Sequence, residues 1–140
     1  MAKDKISIKA IINASIDNIW KLWTEPEHIK KWNMASDDWH TTESLNDLRI
    51  GGKFSSRMEA KDGSMGFDFY GIYDDVINHQ YIAYTLGNGR KVEFNFKDKS
   101  GKTEVVQMFE AESENSIEMQ KEGWQSILDN FKVYAEINNK

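Results

Sequence analysis

The chain has 140 residues, of which 39% are hydrophobic and 29% charged, and its formal net charge at pH 7 is −5. This length and composition are typical of a globular domain, and we predict a single domain over residues 1–140. The lack of cysteine excludes disulfides, thiolate catalysis and cysteine-ligated metals, and the acidic balance without a dense basic patch argues against nucleic-acid binding.

The sequence shows no segment that would direct the chain to or across a membrane. Its first ten residues, MAKDKISIKA, lack the apolar core and cleavage site of a signal peptide. No apolar run reaches the roughly 18 residues that a transmembrane helix needs. We therefore expect a cytoplasmic protein without a transmembrane segment.

The first elements in chain order are a strand and two short helices. Apolar residues alternate from Ile6 to Ala14, as in a strand with one buried face. Ser15 is the predicted N-cap of a helix whose apolar residues recur at helical spacing up to Trp23. Pro26 ends this helix and suits the first turn of another, which has Trp32 on its inner face.

Residues 33–48 show little periodicity, and we predict a loop that contains no more than one short edge strand. Long loops without regular structure are uncommon in compact domains and often carry function. The alternative is a loop that wraps the domain and is held in place by Trp39.

A pair of glycines, Gly51 and Gly52, follows this loop. Paired glycines either cradle a phosphate or relieve backbone crowding where a strand begins. Because residues 53–56 continue in strand alternation instead of opening a helix, we predict a structural role. Asp47 and Arg49 are predicted to pair with each other or with the loop.

The rest of the chain is a predicted meander followed by a long helix. Five alternating runs are separated by short turns that contain Gly or Asn, and they lie at Phe54–Ala60, Phe67–Tyr73, Tyr81–Leu86, Val92–Phe96 and Thr103–Ala111. An apolar stripe at helical spacing then runs from Ile117 to Ala135, with Asn115 as the predicted cap. Gly123, within this helix, predicts a close approach to another element or a bend. The fold class is therefore α+β, a curved antiparallel sheet that grips a long C-terminal helix.

Several segments resemble one known family. These are ASIDNIWKLWTEPEHIKKW, NDLRIGGKF and GIYDDVINHQYIAYT, together with the GW pair at 123–124 followed by Leu128 and Tyr134. In order and spacing they are similar to the C-terminal-domain-like family named after the activator of the heat-shock protein 90 ATPase, within the START-like (SRPBCC) superfamily. The resemblance implies a helix-grip fold with a deep apolar cavity. Superfamily members bind lipids, sterols, polyketides or plant hormones, and some catalyse cyclisation or hydroxylation.

Aromatic and apolar residues are the candidate ligand contacts, because such side chains line concave apolar sites. The candidates are Trp39, Phe67, Phe69, Tyr73, Phe94, Phe96, Trp124, Ile127 and Phe131. The candidate polar groups that would orient a ligand are His40, Arg57 and Gln107, with Tyr70 and Tyr84 as further choices.

No catalytic, cofactor-binding or metal-binding set is predicted. The three histidines, His28, His40 and His79, lack the spacing of metal ligands, and we expect each at the surface. His40, beside Trp39, is the one whose chemistry would suit acid-base work. No serine has the setting of an activated nucleophile.

Three functional hypotheses follow. The first is non-enzymatic binding of a small hydrophobic molecule. The second is a chaperone-interaction module, with a part in the stress response, and the third is a cyclase- or hydrolase-like enzyme that uses polar groups of the cavity. Edge strands of the sheet leave both a monomer and a homodimer open.

Overall fold

The computed structural model describes residues 4–34 and 36–138, and within them one seven-stranded sheet and three helices. The strands are β1 (Lys5–Ile12), β2 (Trp39–Asn46), β3 (Lys53–Ala60), β4 (Gly66–Ile77), β5 (Tyr81–Leu86), β6 (Lys91–Lys99) and β7 (Lys102–Glu110). The helices are α1 (Ile16–Thr24), α2 (Pro26–Trp32) and α3 (Ile117–Ile137).

Every strand pairs antiparallel with its neighbours, in the order β1-β7-β6-β5-β4-β3-β2. Strands β2 to β7 form a meander, and β1 closes one edge of the sheet by pairing with β7. Helix α3 packs against β1 and the two short helices, while α2 packs against β2 at the other edge. The predicted α+β class with a long C-terminal helix is confirmed.

The helix starts follow from side-chain capping. The Ser15 hydroxyl accepts a hydrogen bond from the backbone N–H of Asn18 at 3.3 Å, as expected of an N-cap. Helix α3 is capped by Ser116, one residue after the predicted Asn115, and the Ser116 hydroxyl accepts from the Met119 N–H. The expectation for Gly123 is wrong in one respect, since a Cβ placed there would meet nothing within 4 Å and no close approach requires glycine.

The segment 33–48 contains one edge strand, as the prediction allowed, but β2 is eight residues long and covers half of the predicted loop (residue 35 lies outside the described part). Two features explain why the spacing of apolar residues does not indicate this strand. The register shifts between Thr41 and Glu43, which breaks the alternation. Polar Ser44 and Asn46 face inward, while Leu45 faces out and is 72% exposed.

The glycine pair has the predicted structural role. Gly51 has φ +82°, a conformation that favours glycine, and a Cβ on Gly52 would lie 2.0 Å from the Asp47 carbonyl oxygen. The tight backbone turn is accompanied by an ion pair in which Arg49 Nε lies 2.9 Å from both carboxylate oxygens of Asp47. The two glycines therefore allow the tight backbone turn that leads into β3.

Aromatic rings fill the interior beneath α1 and α2. We call Trp20, Trp23, Trp32, Phe96 and Phe131 the packed aromatic cluster. The Trp23 and Trp32 rings stack with centroids 4.6 Å apart, and Phe131 meets Trp23 edge-on at 4.7 Å. Trp20 contacts Phe96 at 5.3 Å. This cluster joins α1, α2 and α3 to the middle of the sheet.

Candidate ligand-binding cavity

A cavity of about 310 Å³ lies beside the packed aromatic cluster, between the concave face of the sheet and the helices. Its walls are mainly apolar, with Phe54, Phe94 and Tyr84 from the sheet and Trp124 and Ile127 from α3. Trp124 stacks on Phe109 of β7 at a centroid distance of 4.2 Å, so this wall of the cavity is firmly seated on the sheet.

One mouth of the cavity lies where β4 extends past β5, at Phe67, which lines the cavity and is partly exposed. The pairing of these strands ends at Gly71 and Leu86, so residues 67–70 pair only with β3. A surface cleft of about 340 Å³ lies between this part of β4 and the turn at residues 87–90. The cleft shares Phe67, Phe69 and Arg90 with the cavity, which places these three side chains at the opening.

Six of the nine candidate contacts line the cavity, and they are Phe67, Phe69, Tyr73, Phe94, Trp124 and Ile127. Phe67 is 49% exposed because it stands at the mouth. Phe69 reaches across to α3, where its ring lies 6.0 Å from that of Trp124. Strand alternation placed the β4 rings on one face, and the curvature of the sheet brings that face towards α3.

The expectation that all nine side chains converge on one space is wrong for Phe96, Phe131 and Trp39. Phe96 shares a face with Phe94 but lies two residues further along β6, where Trp20 covers it. Phe131 is one turn beyond Ile127 and packs wholly within the aromatic cluster. Trp39 stands at the end of β2 and contacts only the rim, with its ring 5.8 Å from that of Phe67.

Two of the candidate polar groups face away from the cavity. Arg57 alternates with buried neighbours on β3, so its side chain points outward, where it pairs with Glu59 at 3.0 Å and Asp68 at 3.5 Å. The hydrogen bond to Glu59 raises the pKa of Arg57. His40 lies opposite Glu59 in the register and therefore shares that outer face.

Gln107 is the candidate polar group that lines the cavity. It is 4% exposed, lies opposite Phe94 in the sheet, and makes no side-chain hydrogen bond within the described residues. Gln120 is a contrast, because its buried amide donates to the Asn115 carbonyl at 2.8 Å and accepts from the Glu112 N–H at 2.8 Å.

The cavity wall also contains polar residues outside the candidate set. Ser44 and Ser56 lie directly opposite each other on β2 and β3, and both face inward. The buried Ser44 hydroxyl has no hydrogen-bond partner among the described residues. Ser56 alternates with Phe54 and Met58 on one face of β3, which is the sequence signal that could have identified it.

Two tyrosines contribute hydroxyls in different states. The Tyr73 hydroxyl donates to Asn46 Oδ1 at 2.5 Å, and Asn46 Nδ2 donates to the Thr24 carbonyl at 2.6 Å, which links β4 to the end of α1. The Tyr84 hydroxyl makes no such bond within the described part of the chain. Burial raises the pKa of both tyrosines, so both remain protonated hydrogen-bond donors at neutral pH.

The three histidines lie apart, outside the cavity. His28 is half-buried, contrary to the surface expectation, and its Nδ1 lies 2.6 Å from the Tyr134 hydroxyl between α2 and α3. His79 is in the left-handed region at φ 64° and contacts the edge of Trp20. Over residues 4–34 and 36–138 no group of His, Asp and Glu is arranged to hold a metal, and none of the described helices could span a membrane.

Comparison with known proteins places this architecture in a family. The model of the family described as "Activator of Hsp90 ATPase homolog 1-like protein" matches residues 13–136. The solution structure of an AHSA1-like protein from Aeromonas hydrophila is 44% identical with a TM-score of 0.91, over 96% of this chain and 94% of that one.

A Cytophaga hutchinsonii protein is 47% identical with a TM-score of 0.83, over 96% of this chain and 93% of that chain. A Nitrosomonas europaea protein at 18% identity has a TM-score of 0.83, over 99% of this chain and 97% of that one, and it shares the fold alone. No curated protein matches the chain significantly.

Proposed function

The chain belongs to the family of Activator of Hsp90 ATPase homolog 1-like proteins, and we propose that it binds a small, largely apolar molecule in its cavity without converting it. The volume of about 310 Å³ is at the lower end of the roughly 300–1,000 Å³ that ligand pockets span. A compact aromatic or short aliphatic molecule is therefore the expected size of ligand.

The observation that carries this proposal is the unpaired amide of Gln107 in an apolar wall. Unlike the Ser44 hydroxyl, which is fully enclosed, the Gln107 amide is accessible from the cavity, so its donor and acceptor atoms are available to a molecule there. The same chain satisfies its other buried glutamine, Gln120, with several hydrogen bonds to backbone groups. A ligand atom that bonds to the Gln107 amide would replace water there, and it would orient the ligand in an otherwise apolar site.

The polar groups around the cavity support binding more than catalysis. The Tyr73 hydroxyl is already engaged with Asn46, and within the described lining residues no hydrogen bond joins a nucleophile to a base. His40 and Arg57, which the sequence offered as reactive groups, lie on the outer face of the sheet. A cyclase- or hydrolase-like reaction stays a hypothesis from the sequence.

The test uses N-phenyl-1-naphthylamine, an uncharged dye that becomes fluorescent in apolar surroundings. We expect a saturable rise in fluorescence with the wild-type protein. Ser56→Phe places a ring inside the cavity and should weaken dye binding by at least about tenfold, which is 1.4 kcal/mol.

Ser55→Phe is the matched control, because Ser55 is the neighbouring residue on the opposite face of β3. It should leave the dye affinity within about twofold of wild type. Circular dichroism and thermal unfolding would verify that both variants are folded. Equal dye binding by the two variants, or none by the wild type, would contradict the proposal.

A chaperone-interaction module is the second candidate, and the family match is the observation that favours it. On this alternative the protein would form a complex with an Hsp90 homologue from the same cell and change its ATPase rate. A pull-down without a complex and an unchanged rate would remove the candidate. The single domain over residues 1–140, the cytoplasmic location and the monomeric or homodimeric state stay predictions from the sequence.

A further inference from the structure

Arg90 stands at the mouth of the cavity without a carboxylate partner. It is half-buried, and it lines both the cavity and the adjoining surface cleft. Its backbone carbonyl accepts from the Leu86 N–H at 2.8 Å, which fixes the start of its side chain at the end of the turn between β5 and β6. No carboxylate of the described residues lies within 4.0 Å of the guanidinium.

The two hydrogen bonds that the Arg90 guanidinium donates are long and go to neutral oxygens. Its Nε donates to Asn88 Oδ1 at 3.3 Å, and its Nη1 donates to the Glu110 carbonyl at 3.4 Å. The carboxylate of Glu110 is turned elsewhere and accepts from the Lys91 backbone N–H at 2.7 Å. A guanidinium has five N–H donors, so these contacts hold its position and leave donors available.

The surroundings of Arg90 differ from those of a solvated surface arginine. Burial on one side reduces competition from water, which strengthens the attraction of the guanidinium for an anion. Tyr84, whose buried hydroxyl is unpaired within the described residues, lies close enough for the Arg90 charge to act on its pKa. A cation and a phenol therefore line the same cavity, next to apolar walls.

We propose that the ligand is a hydrophobic monocarboxylate, whose carboxylate binds Arg90 at the mouth while its apolar body enters the cavity. This inference rests on the proposed function and adds the chemical class of the ligand. The planar guanidinium matches a carboxylate in two-point geometry. A single cation in a protein of net charge −5 suits one negative charge better than the two or more of a phosphate ester.

The experiment compares 2-naphthoate with 2-naphthamide by isothermal titration calorimetry at pH 7. The two probes have the same ring system and nearly the same shape, but only the first is charged. We expect wild type to bind 2-naphthoate about tenfold more tightly than 2-naphthamide. Arg90→Gln should remove this preference by weakening 2-naphthoate about tenfold more than 2-naphthamide.

Lys91→Gln is the matched control, because it removes the same charge one residue away. The Lys91 side chain is exposed on the outer face of the sheet, where its Nζ donates to the Thr85 hydroxyl. This variant should keep the preference for 2-naphthoate. An equal loss in both variants would mean that overall charge, and no contact at Arg90, sets the preference, and would overturn the inference.

The remaining outcomes separate the inference from the proposed function. Equal affinity of wild type for 2-naphthoate and 2-naphthamide overturns the carboxylate inference without any variant, while cavity binding survives. If wild type binds neither naphthyl probe nor N-phenyl-1-naphthylamine, the proposed function fails as well. Unchanged binding of N-phenyl-1-naphthylamine by Arg90→Gln establishes that the cavity of the variant is intact.

Discussion

The interior has two regions that are both rich in aromatic rings. Beneath α1 and α2 the rings pack directly against one another, whereas next to Trp124 of α3 they line a cavity. In the packed aromatic cluster Phe131 lies 4.7 Å from Trp23 and 4.9 Å from Trp32, measured between ring centroids. On the cavity side the close ring pairs lie within the walls, with Phe54 4.5 Å from Tyr84 and Trp124 4.2 Å from Phe109. Phe69 stands further off, 5.9 Å from Phe54 and 6.0 Å from Trp124.

The difference comes from what each ring faces. In the cluster, α1 and α2 carry tryptophans that meet rings of the sheet and of α3. On the cavity side, β2 and β3 contribute the small side chains of Ser44 and Ser56, which do not reach across the curved sheet. Ring content alone therefore does not decide between a filled core and a cavity, because the volume of the opposing residues sets the outcome.

The largest effect is expected when one ring is truncated in the packed aromatic cluster and one beside the cavity. Phe131→Ala should lower the free energy of unfolding by about 3–5 kcal/mol, because it opens a new cavity in a closely packed region. Phe69→Ala should cost about 1–2 kcal/mol, since Phe69 already borders open space, but it should weaken dye binding. Urea unfolding measures both, and equal losses would break the distinction between the two halves.

The next test exchanges the two buried glutamines for methionine, which has a similar shape. Gln120→Met should lower the free energy of unfolding by about 2 kcal/mol, because backbone groups of residues 112 and 115 lose their partner. Gln107→Met should instead leave it within about 0.5 kcal/mol of wild type, because the amide faces the cavity and no protein group loses a partner.

The difference between the two variants is the informative result of that exchange. They would be measured by urea unfolding without ligand, with the midpoint and slope compared against wild type. A loss of stability in Gln107→Met as large as in Gln120→Met would mean that the Gln107 amide supports the free protein. Its proposed role in orienting a ligand would then lose its basis.

The smallest expected effect concerns pH and a cavity tyrosine. Burial raises the pKa of Tyr84 above its ordinary value of 10.0, so the folded protein holds this proton after the unfolded chain has released it. The resulting stabilisation is complete below pH 10 and is lost as the pH rises above it. Tyr84→Phe should therefore reduce the alkaline loss of stability by about 1 kcal/mol at pH 11.

Thermal unfolding between pH 7 and 11 would measure this difference. Tyr70→Phe is the control, because the Tyr70 ring is 45% exposed on the outer side of β4. We expect this control to follow the wild-type pH profile. Identical profiles for Tyr84→Phe and wild type would indicate that the Tyr84 hydroxyl is in contact with water in the folded protein.

Most of the fold could be predicted from local sequence patterns. The main error concerns strand β2, which lines part of the cavity. Strands β3 to β7 alternate because one face is buried, and the stripe of α3 has helical spacing for the same reason. Strand β2 could not be recognised from alternating apolar residues, because its inward residues, Ser44 and Asn46, are polar and line the cavity. Strand β4 also lines the cavity but does so with Phe67, Phe69 and Tyr73, so its alternation is evident in the sequence.

The sequence by itself determined the order of the elements other than β2, the inward face of β1 and of β3 to β7, and the set of rings available to the interior. Only the tertiary structure decided which rings meet one another and which surround the cavity. Phe94 and Phe96 share one strand and one face, yet the first lines the cavity and the second lies under Trp20. The reason is physical: alternation is a property of neighbouring residues, whereas packing depends on side chains that α1 and α3 bring from distant parts of the chain.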